Sequence, residues 1–171
     1  NGPKELQLSG AYGEHNYQNY TAGVSWPIKD LSQQFSINVR SSDGYRENTD
    51  FNILNGFYQA NWKDQVTLMA GHTEKRFGAN GFYTNLFPWQ WEQVKTSFVG
   101  VSAKTKTRVV LEPRVYYRRN EDEFLLKRDT PSFYRNHHII HVVGAELNAR
   151  FSSGLGLTSM GVEYRGEIIE S

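Results

Sequence analysis

Hydrophobic and polar residues alternate with a period of two along about nine stretches of the chain between Glu5 and Glu170. The clearest stretch sets two groups against each other: Val109, Leu111, Pro113, Val115 and Tyr117 against Glu112, Arg114, Tyr116 and Arg118. Successive side chains of a strand point to opposite sides, so this alternation predicts strands with one apolar and one hydrated face. The chain is therefore expected to be all-β.

The connections between these stretches alternate between short polar turns and long loops. The short turns are residues 29–32, 62–64, 104–107 and 152–154, and the long loops are residues 42–50, 76–91 and 118–138. Successive connections of an antiparallel up-and-down sheet lie at opposite ends of the strands, so turns collect on one rim and loops on the other, as in outer-membrane barrels. His15-Asn16 departs from this rule, because it is a short connection on the loop side.

Three features favour a transmembrane barrel over a soluble sandwich, which also alternates. Strands of about ten residues suit a tilted membrane span, and Trp26 and Trp62 stand at strand ends, where an aromatic girdle lies. The polar side carries charges that a hydrated barrel interior permits and a dry core does not. These candidate interior-facing residues are Arg40, Glu112, Arg114, Glu146, Arg150, Glu163 and Arg165. Pro113 is expected at a bulge or an unpaired position.

Composition narrows the function classes. The 171 residues carry 19 Lys and Arg against 18 Asp and Glu, so no strong field indicates a nucleic-acid partner. The absence of cysteine excludes disulfides, thiolate zinc sites and cysteine nucleophiles. A mean hydropathy of -0.63 is compatible with a barrel, because only every second strand residue would meet lipid. No apolar run reaches the length of a spanning helix.

An aromatic group in the second long loop is the strongest candidate for ligand contact, because exposed aromatic residues seldom cluster without a partner. Its members are Phe82, Tyr83, Phe87, Trp89 and Trp91. The alternatives are that these rings belong to a membrane girdle or pack beneath neighbouring loops. The charged interior-facing set lines a substrate path, hydrogen-bonds a plug domain, or is simply solvated.

Two clusters of potential metal ligands are each better explained as solvated side chains. The first is His137, His138 and His141, and the second is Asp43, Glu47 and Asp50. His138 and His141 would point to opposite faces of one strand, and the acidic cluster lacks the spacing of an EF-hand calcium loop. No metal or other cofactor is predicted. Catalytic motifs are absent apart from a chance pairing of His72 with Glu74, so the chain is not predicted to be an enzyme.

Two loop-and-strand junctions carry more specific sequences than the strand pattern. They are residues 42–51, and residues 77–88 followed by Trp91-Glu92. Both resemble TonB-dependent outer-membrane receptors, the plugged barrels that import scarce nutrients such as siderophores and cobalamin. The opening Asn1-Gly2-Pro3-Lys4 is similar to the passage from plug domain to first barrel strand in that family.

The resemblance implies a bacterial outer-membrane location, contact with outer-membrane lipid and a small nutrient ligand. In the parent protein it implies a plug domain and the TonB system as partners. Neither a plug domain nor a TonB-binding motif occurs in the 171 residues, and transporters of this family have about 22 strands. Residues 1–171 are therefore expected to form a single segment of an antiparallel up-and-down transmembrane β-barrel, incomplete at about nine strands. The end of the chain, residues 167–171, lacks the terminal aromatic residue that complete barrels commonly carry.

Two other functions remain open from the sequence. One is a complete small outer-membrane barrel with a structural or interaction role, and the other is a soluble lipocalin-like binding module. The missing terminal aromatic and the receptor-like loop weigh against the first, and the long strands with charged inner faces weigh against the second. An incomplete barrel leaves two strand edges unpaired, so the isolated segment is expected to self-associate and to show no uptake activity.

Overall fold

A single antiparallel sheet makes up the computed structural model, which describes residues 4–154 and 156–171. Its nine strands are β1 (Glu5–Gly13), β2 (Tyr17–Ile28), β3 (Leu31–Ser42), β4 (Phe51–Trp62), β5 (Val66–Gly78), β6 (Trp91–Ala103), β7 (Val109–Leu125), β8 (Arg135–Ser153) and β9 (Gly156–Glu170). Each strand pairs with its neighbours in sequence. The predictions of an all-β chain, of antiparallel pairing and of about nine strands are confirmed. Asn1-Gly2-Pro3, part of the receptor-like opening, lies outside the described residues.

The sheet is open rather than closed into a barrel. Among the described residues, β1 pairs only with β2, and β9 pairs only with β8. Strand contacts likewise join only consecutive strands. Because a single layer covers little of its own surface, the buried apolar residues of the described chain are few: Ala60, Ala79, Leu125 and Val142. The described residues contain no helix that is long and apolar enough to cross a membrane.

An uninterrupted register assigns every strand residue to one of two faces. Directly paired residues share a face, and one row of paired residues crosses eight strands through Leu6, Val24, Phe35, Tyr58, Ala70, Val99, Tyr117 and Val143. We call the side with this row the apolar face and the opposite side the polar face. Val109, Leu111 and Val115 lie on the apolar face, as predicted, and Arg114 and Arg118 lie on the polar face.

On β5 to β8 the apolar side chains of this face are mostly confined to the half nearer the short turns, whereas on β3 and β4 they continue to Val39 and Leu54. On β7 and β8 the face beyond Tyr117 and Val143 carries mainly charged and polar side chains. The charged side chains form partly exposed ion pairs, with nitrogen–oxygen distances of 2.6 Å for Arg76–Glu74, 2.6 Å for Arg119–Glu121 and 2.8 Å for Arg135–Glu123. We call these apolar-face positions of residues 72–76, 93–97, 119–123 and 135–141 the charged collar. Exposed ion pairs add little stability, so the collar chiefly marks where the apolar surface ends.

The two rims of the sheet differ as the alternating connections predict. The turn rim carries the connections after β2, β4, β6 and β8, and Trp26, Trp62 and Phe151 lie near it on the apolar face. The loop rim carries the long loops after β3, β5 and β7. The short β1–β2 connection also lies there, and it is possible because His15 and Asn16 both adopt positive φ, 55° and 54°. Two successive left-handed residues are the requirement of a two-residue hairpin turn.

The long loops are shorter than predicted, which corrects the expected boundaries 76–91 and 118–138. The second loop spans residues 79–90, and the third spans only 126–134 because β7 continues to Leu125 and β8 begins at Arg135. Residues 118–123 carry polar and charged side chains on both faces, so the hydrophobic alternation that identifies a strand is missing there. Cross-strand ion pairs such as Arg135–Glu123 accompany the pairing in this extension.

Pro113 occupies a position where the sheet tolerates it. The β7–β8 register runs past it without interruption, pairing Pro113 with Leu147, so there is no bulge. On the other side, the β6–β7 ladder ends at Ser102 and Arg114, one residue before the proline. Pro113 is therefore unpaired only on its β6 side, so the expected unpaired position is found there and the expected bulge is absent.

Candidate functional site

The loop rim is organised around the side chain of Asn48. This residue is 7% exposed and has a φ of 52°. Its side-chain amide donates hydrogen bonds to the carbonyl oxygens of Pro88 at 2.8 Å and Gln90 at 2.6 Å, which belong to the second loop. Asparagine tolerates the left-handed conformation better than most residues, and a buried amide must have partners. The first and second loops are thereby joined.

Gln90 closes the second loop on itself. Its side chain is fully buried. The amide oxygen accepts a hydrogen bond from the Tyr83 backbone N–H at 3.1 Å, and the amide nitrogen donates to the Thr84 carbonyl oxygen at 3.0 Å. A fully buried polar side chain that is satisfied on both sides specifies one conformation, because any other leaves an unpaired buried group.

Arg128 connects the third loop to the other two. Its guanidinium donates to the Asp50 carboxylate at 2.6 Å and to the Asn48 side-chain oxygen at 3.4 Å. Its backbone N–H donates to the Trp89 carbonyl oxygen at 2.7 Å. All three long loops therefore meet around Asn48. We call Asn48, Asp50, Gln90 and Arg128 the loop lock.

The five candidate aromatic residues divide into separate places. Phe82 and Tyr83 pack edge to face at 4.9 Å between ring centroids, and Tyr83 packs in the same way on Phe124 at 4.9 Å. Phe87 contacts Phe133 of the third loop at 6.0 Å. Phe82, Tyr83 and Trp89 are exposed, whereas Phe87 and Trp91 are half-buried. The structure thus brings three of these five rings, Phe82, Tyr83 and Phe87, into two aromatic groups and leaves Trp89 and Trp91 outside both.

The sequence missed the partners from the third loop and its flanking strand. These are Phe124, Lys127, Phe133 and Tyr134. The Lys127 ammonium lies 3.9 Å from the Phe133 ring centroid and 5.5 Å from that of Phe87, a cation–π arrangement. The sequence does contain a signal for these partners. Phe133 and Tyr134 lie in the third loop and Phe124 lies just before it, and an up-and-down sheet places the third loop beside the second.

Tyr83 also forms the most perturbed titrating group of the loop rim. Its hydroxyl donates to the Glu92 carboxylate at 2.7 Å. This hydrogen bond, followed by partial burial and the negative charges of Glu92 and Asp122, raises the pKa of Tyr83 to about 12. Tyr83 therefore keeps its proton, and its hydrogen bond to Glu92 of β6, to a higher pH than an ordinary tyrosine.

A cavity of about 540 Å³ lies beside the loop lock. Its lining includes Asp43 and Asp50 together with Arg76, Trp91 and Arg128. Because Asp50 is committed to Arg128, the acidic cluster Asp43, Glu47 and Asp50 does not present three free carboxylates. The described residues contain no group of three or more acidic or histidine side chains placed to hold a metal ion.

All seven charged candidates lie on the polar face. Several are paired there: Arg114 with Glu146 at 3.1 Å, and Glu112 with Arg150 at 2.8 Å and Lys104 at 3.2 Å. Arg40 lies 5.9 Å from the Phe51 ring centroid instead. The seven residues therefore share one face, as the alternation in the sequence indicates. That this face lines a barrel interior stays a prediction.

The histidines are occupied by individual partners rather than by each other. His137 lies 3.3 Å from a Glu121 carboxylate oxygen, and His141 lies 2.7 Å from the Tyr117 hydroxyl. The register places His138 and His141 on opposite faces, as the strand geometry predicts. His72 is hydrogen-bonded to Ser97 at 2.8 Å. Its predicted chance partner Glu74 is bound to Arg76.

Comparison of the chain with protein-family models, with curated proteins and with solved structures gives no match.

Proposed function

We propose that the chain forms part of the wall of a TonB-dependent receptor barrel in the bacterial outer membrane, whose parent protein takes up a scarce nutrient such as a siderophore or cobalamin. The apolar face would contact lipid, and the polar face would contact water and a plug domain. The interlocked loops would meet the ligand outside the cell. In this proposal the chain has a transport role and not a catalytic one.

The observation that carries the proposal is the limited height of the apolar surface. On β7 this surface runs from Val109 to Tyr117 and is followed by Arg119, Glu121 and Glu123 of the charged collar. Eight steps of about 3.4 Å give about 27 Å along the strand, or about 20 Å across a membrane at a tilt of about 40°. The apolar band of outer-membrane barrels is about 25 Å tall.

Exposure supports the same assignment. Leu8, Val115 and Val162 of the apolar face are 72%, 55% and 67% exposed, and no second layer of the described chain covers this face. A soluble sandwich or lipocalin-like module would bury such a surface against another sheet. Contact with lipid would remove the apolar face from water without a second layer of protein, while hydrogen bonds between neighbouring strands would pair the backbone groups.

The open edges favour a wall segment over a small closed barrel. In the described residues β1 and β9 each have one neighbour, although closure of a nine-stranded barrel would pair them with each other. Unpaired backbone groups are costly in lipid. Further strands of a wider barrel would pair both edges.

Site-directed spin labelling tests the orientation of the two faces. The chain has no cysteine, so a single label can be attached to Val115→Cys or Leu147→Cys on the apolar face. Matched labels at Arg114→Cys and Glu146→Cys lie at nearly the same height on the polar face. In lipid vesicles we expect the spin labels on the apolar face to be relaxed mainly by dissolved oxygen. The labels on the polar face should be relaxed mainly by a water-soluble nickel chelate. Equal nickel accessibility of all four labels would contradict the proposed lipid contact.

The receptor role is tested in the bacterium that encodes the chain. Deletion of the gene is expected to abolish growth on one limiting nutrient from a panel of siderophores and cobalamins, and loss of TonB is expected to reproduce the defect. Normal growth of the deletion strain on the whole panel would contradict the receptor role while leaving the wall assignment to the labelling experiment.

A further inference from the structure

A second cavity, remote from the loops, is built into the polar face across β5 to β9. Its volume is about 400 Å³, within the range of small-molecule sites, about 300–1,000 Å³. Met69, Phe98, Gly100, Tyr116 and Val142 form an apolar floor. Most of this face carries amides, hydroxyls and charges, with scattered apolar residues such as Ile53 and Ile140, so a contiguous apolar floor distinguishes this patch from a merely solvated surface.

Glycines give the floor its shape. The Tyr116 ring lies across Gly144 of the adjacent strand, so close that a Cβ atom added to Gly144 would lie 2.2 Å from it. The Phe98 ring lies across Gly71 in the same way, and a Cβ there would lie 2.4 Å from the ring. Both rings are thereby held down against the sheet, which leaves an open concave surface above them.

Charge around the cavity is one-sided. The neighbouring paired rows contain three arginines and three glutamates, namely Arg114, Arg118, Arg165, Glu146, Glu163 and Glu167. Only the three arginines line the cavity. Glu146 and Glu167 form ion pairs with Arg114 and Arg165, at 3.1 Å and 3.4 Å, without lining the cavity themselves. Arg118 is exposed and has no carboxylate partner among the described residues.

We propose that this cavity binds a small organic anion with a planar apolar body, of the aromatic carboxylate class. The planar body stacks on Tyr116 and Phe98, whose rings supply contact area. The carboxylate receives the guanidinium of Arg118, whose fork of donors matches two carboxylate oxygens. The site needs only the folded sheet and its polar face, so it is independent of the membrane assignment.

Fluorine NMR of 4-fluorobenzoate tests the site with the whole chain folded in a non-ionic detergent. We expect a saturable shift and broadening of the probe resonance. The neutral probe 4-fluorobenzyl alcohol has the same ring without the charge, and it is expected to bind at least about ten-fold more weakly, because it cannot form the charge-assisted hydrogen bonds. Empty micelles measure the partition of each probe into detergent.

Variants locate the binding. Arg118→Gln is expected to weaken 4-fluorobenzoate binding by about ten-fold. Arg40→Gln, which removes an arginine from the same face on β3 but outside the cavity, is expected to leave it unchanged. A far-ultraviolet circular dichroism spectrum that matches that of the parent chain establishes that each variant keeps its sheet.

Three outcomes would overturn the proposal. The first is no saturable binding of the carboxylate, and the second is equal binding of the carboxylate and the alcohol. The third is equal weakening by Arg118→Gln and Arg40→Gln, which would assign the effect to general charge on the polar face. None of these results bears on lipid contact or on growth of the deletion strain, so failure here and failure of the receptor proposal are distinguishable.

Discussion

At the scale of single residues, a few buried amides hold the loop rim together. Asn48 and Gln90 are the buried polar residues of the described chain, and each is satisfied by carbonyl groups of loop backbone. Backbone carbonyls in loops have no ladder partner, so a side-chain donor replaces the missing one. The conformation of long loops thus depends on very few side chains.

Replacement of Asn48 by alanine is expected to open the loop rim. The change removes the donors to Pro88 and Gln90, so the Pro88 carbonyl loses this partner and the Gln90 carbonyl keeps only the Ala79 N–H, at a cost of about 1–3 kcal/mol in the free energy of local opening. Native-state hydrogen exchange measures this opening at the backbone amides of Ala79 and Asn80, which donate to the carbonyl oxygens of Gln90 and Asn48. Both amides should exchange faster in Asn48→Ala.

The matched control is Asn85→Ala, because Asn85 is an exposed amide side chain in the second loop, which also contains the two reporting amides. Its exchange rates are expected to match those of the parent chain. Equal acceleration in both variants, or none in Asn48→Ala, would mean that the loop lock does not depend on Asn48.

Titration of Tyr83 gives a pH-dependent prediction. Its pKa is about 12 in the folded chain and about 10 in an unfolded one. The folded state therefore binds the proton more tightly, so the stabilisation is fully present below about pH 10 and is lost as the pH rises through about 12. The difference in absorbance at 295 nm between the chain and Tyr83→Phe should show a midpoint near 12. In the Glu92→Gln variant the midpoint for Tyr83 should fall towards 10, because the carboxylate that accepts its hydrogen bond is gone. An unchanged midpoint would show that Glu92 does not raise the pKa of Tyr83.

At the scale of strands, the sequence predicted the segments in which apolar and polar residues alternate. It did not predict the strand segments that are charged or polar on both faces. Segments such as Val109–Tyr117 show the period directly, because one side must be apolar and the other wet. The loop-side ends of β7 and β8, residues 118–123 and 135–138, are polar on both faces, so their strand conformation comes from pairing with neighbouring strands, which a single segment does not reveal. The same limit hid Phe124, whose alternation is masked by Glu121, Asp122 and Glu123.

Two strand glycines are expected to differ sharply in their tolerance of a side chain. Gly144→Ala forces the Tyr116 ring off the sheet and should destabilise the fold by about 1–3 kcal/mol. Gly56 has no atom within 4 Å of an added Cβ, so Gly56→Ala should be neutral or stabilising by about 0.4–1 kcal/mol. Urea unfolding in detergent compares the two.

A double-mutant cycle isolates the ring as the cause. In a Tyr116→Ala background, Gly144→Ala should lose most of its cost, because the clashing group is gone. Additive effects of the two changes would show that the glycine is needed for backbone reasons instead.

At the scale of the whole molecule, two exposed edges dominate the behaviour of the isolated chain. β1 and β9 each present one unpaired side, and both also carry exposed apolar residues. Unpaired strand edges template further pairing. The number of strands and the polarity of the faces were predictable from the sequence, whereas the grouping of distant loops around Asn48 was not, because it depends on contacts between residues far apart in the chain.

We expect the isolated chain to associate edge to edge in detergent and to show no uptake activity. Cysteines at Leu8 of β1 and Val162 of β9 should form disulfides between molecules when the two variants are mixed, since edge pairing brings β1 beside β9. Ala70→Cys on the central strand β5 is the control and should not cross-link. A monomer by light scattering with no cross-link, or ligand transport by the chain alone in liposomes, would contradict this prediction.

The loop lock has a consequence for the order in which the chain folds. Every strand contacts only its sequence neighbours. The sheet can therefore form by adding one strand at a time, and each addition closes only a short loop. The hydrogen bond from Arg128 to Asn48 instead joins residues 80 positions apart, and the entropy of closing so long a segment is recovered only once the intervening strands are in register. We therefore expect the loop lock to form after strands β4 to β7 have paired, so that ordered loops indicate correct register of these four strands.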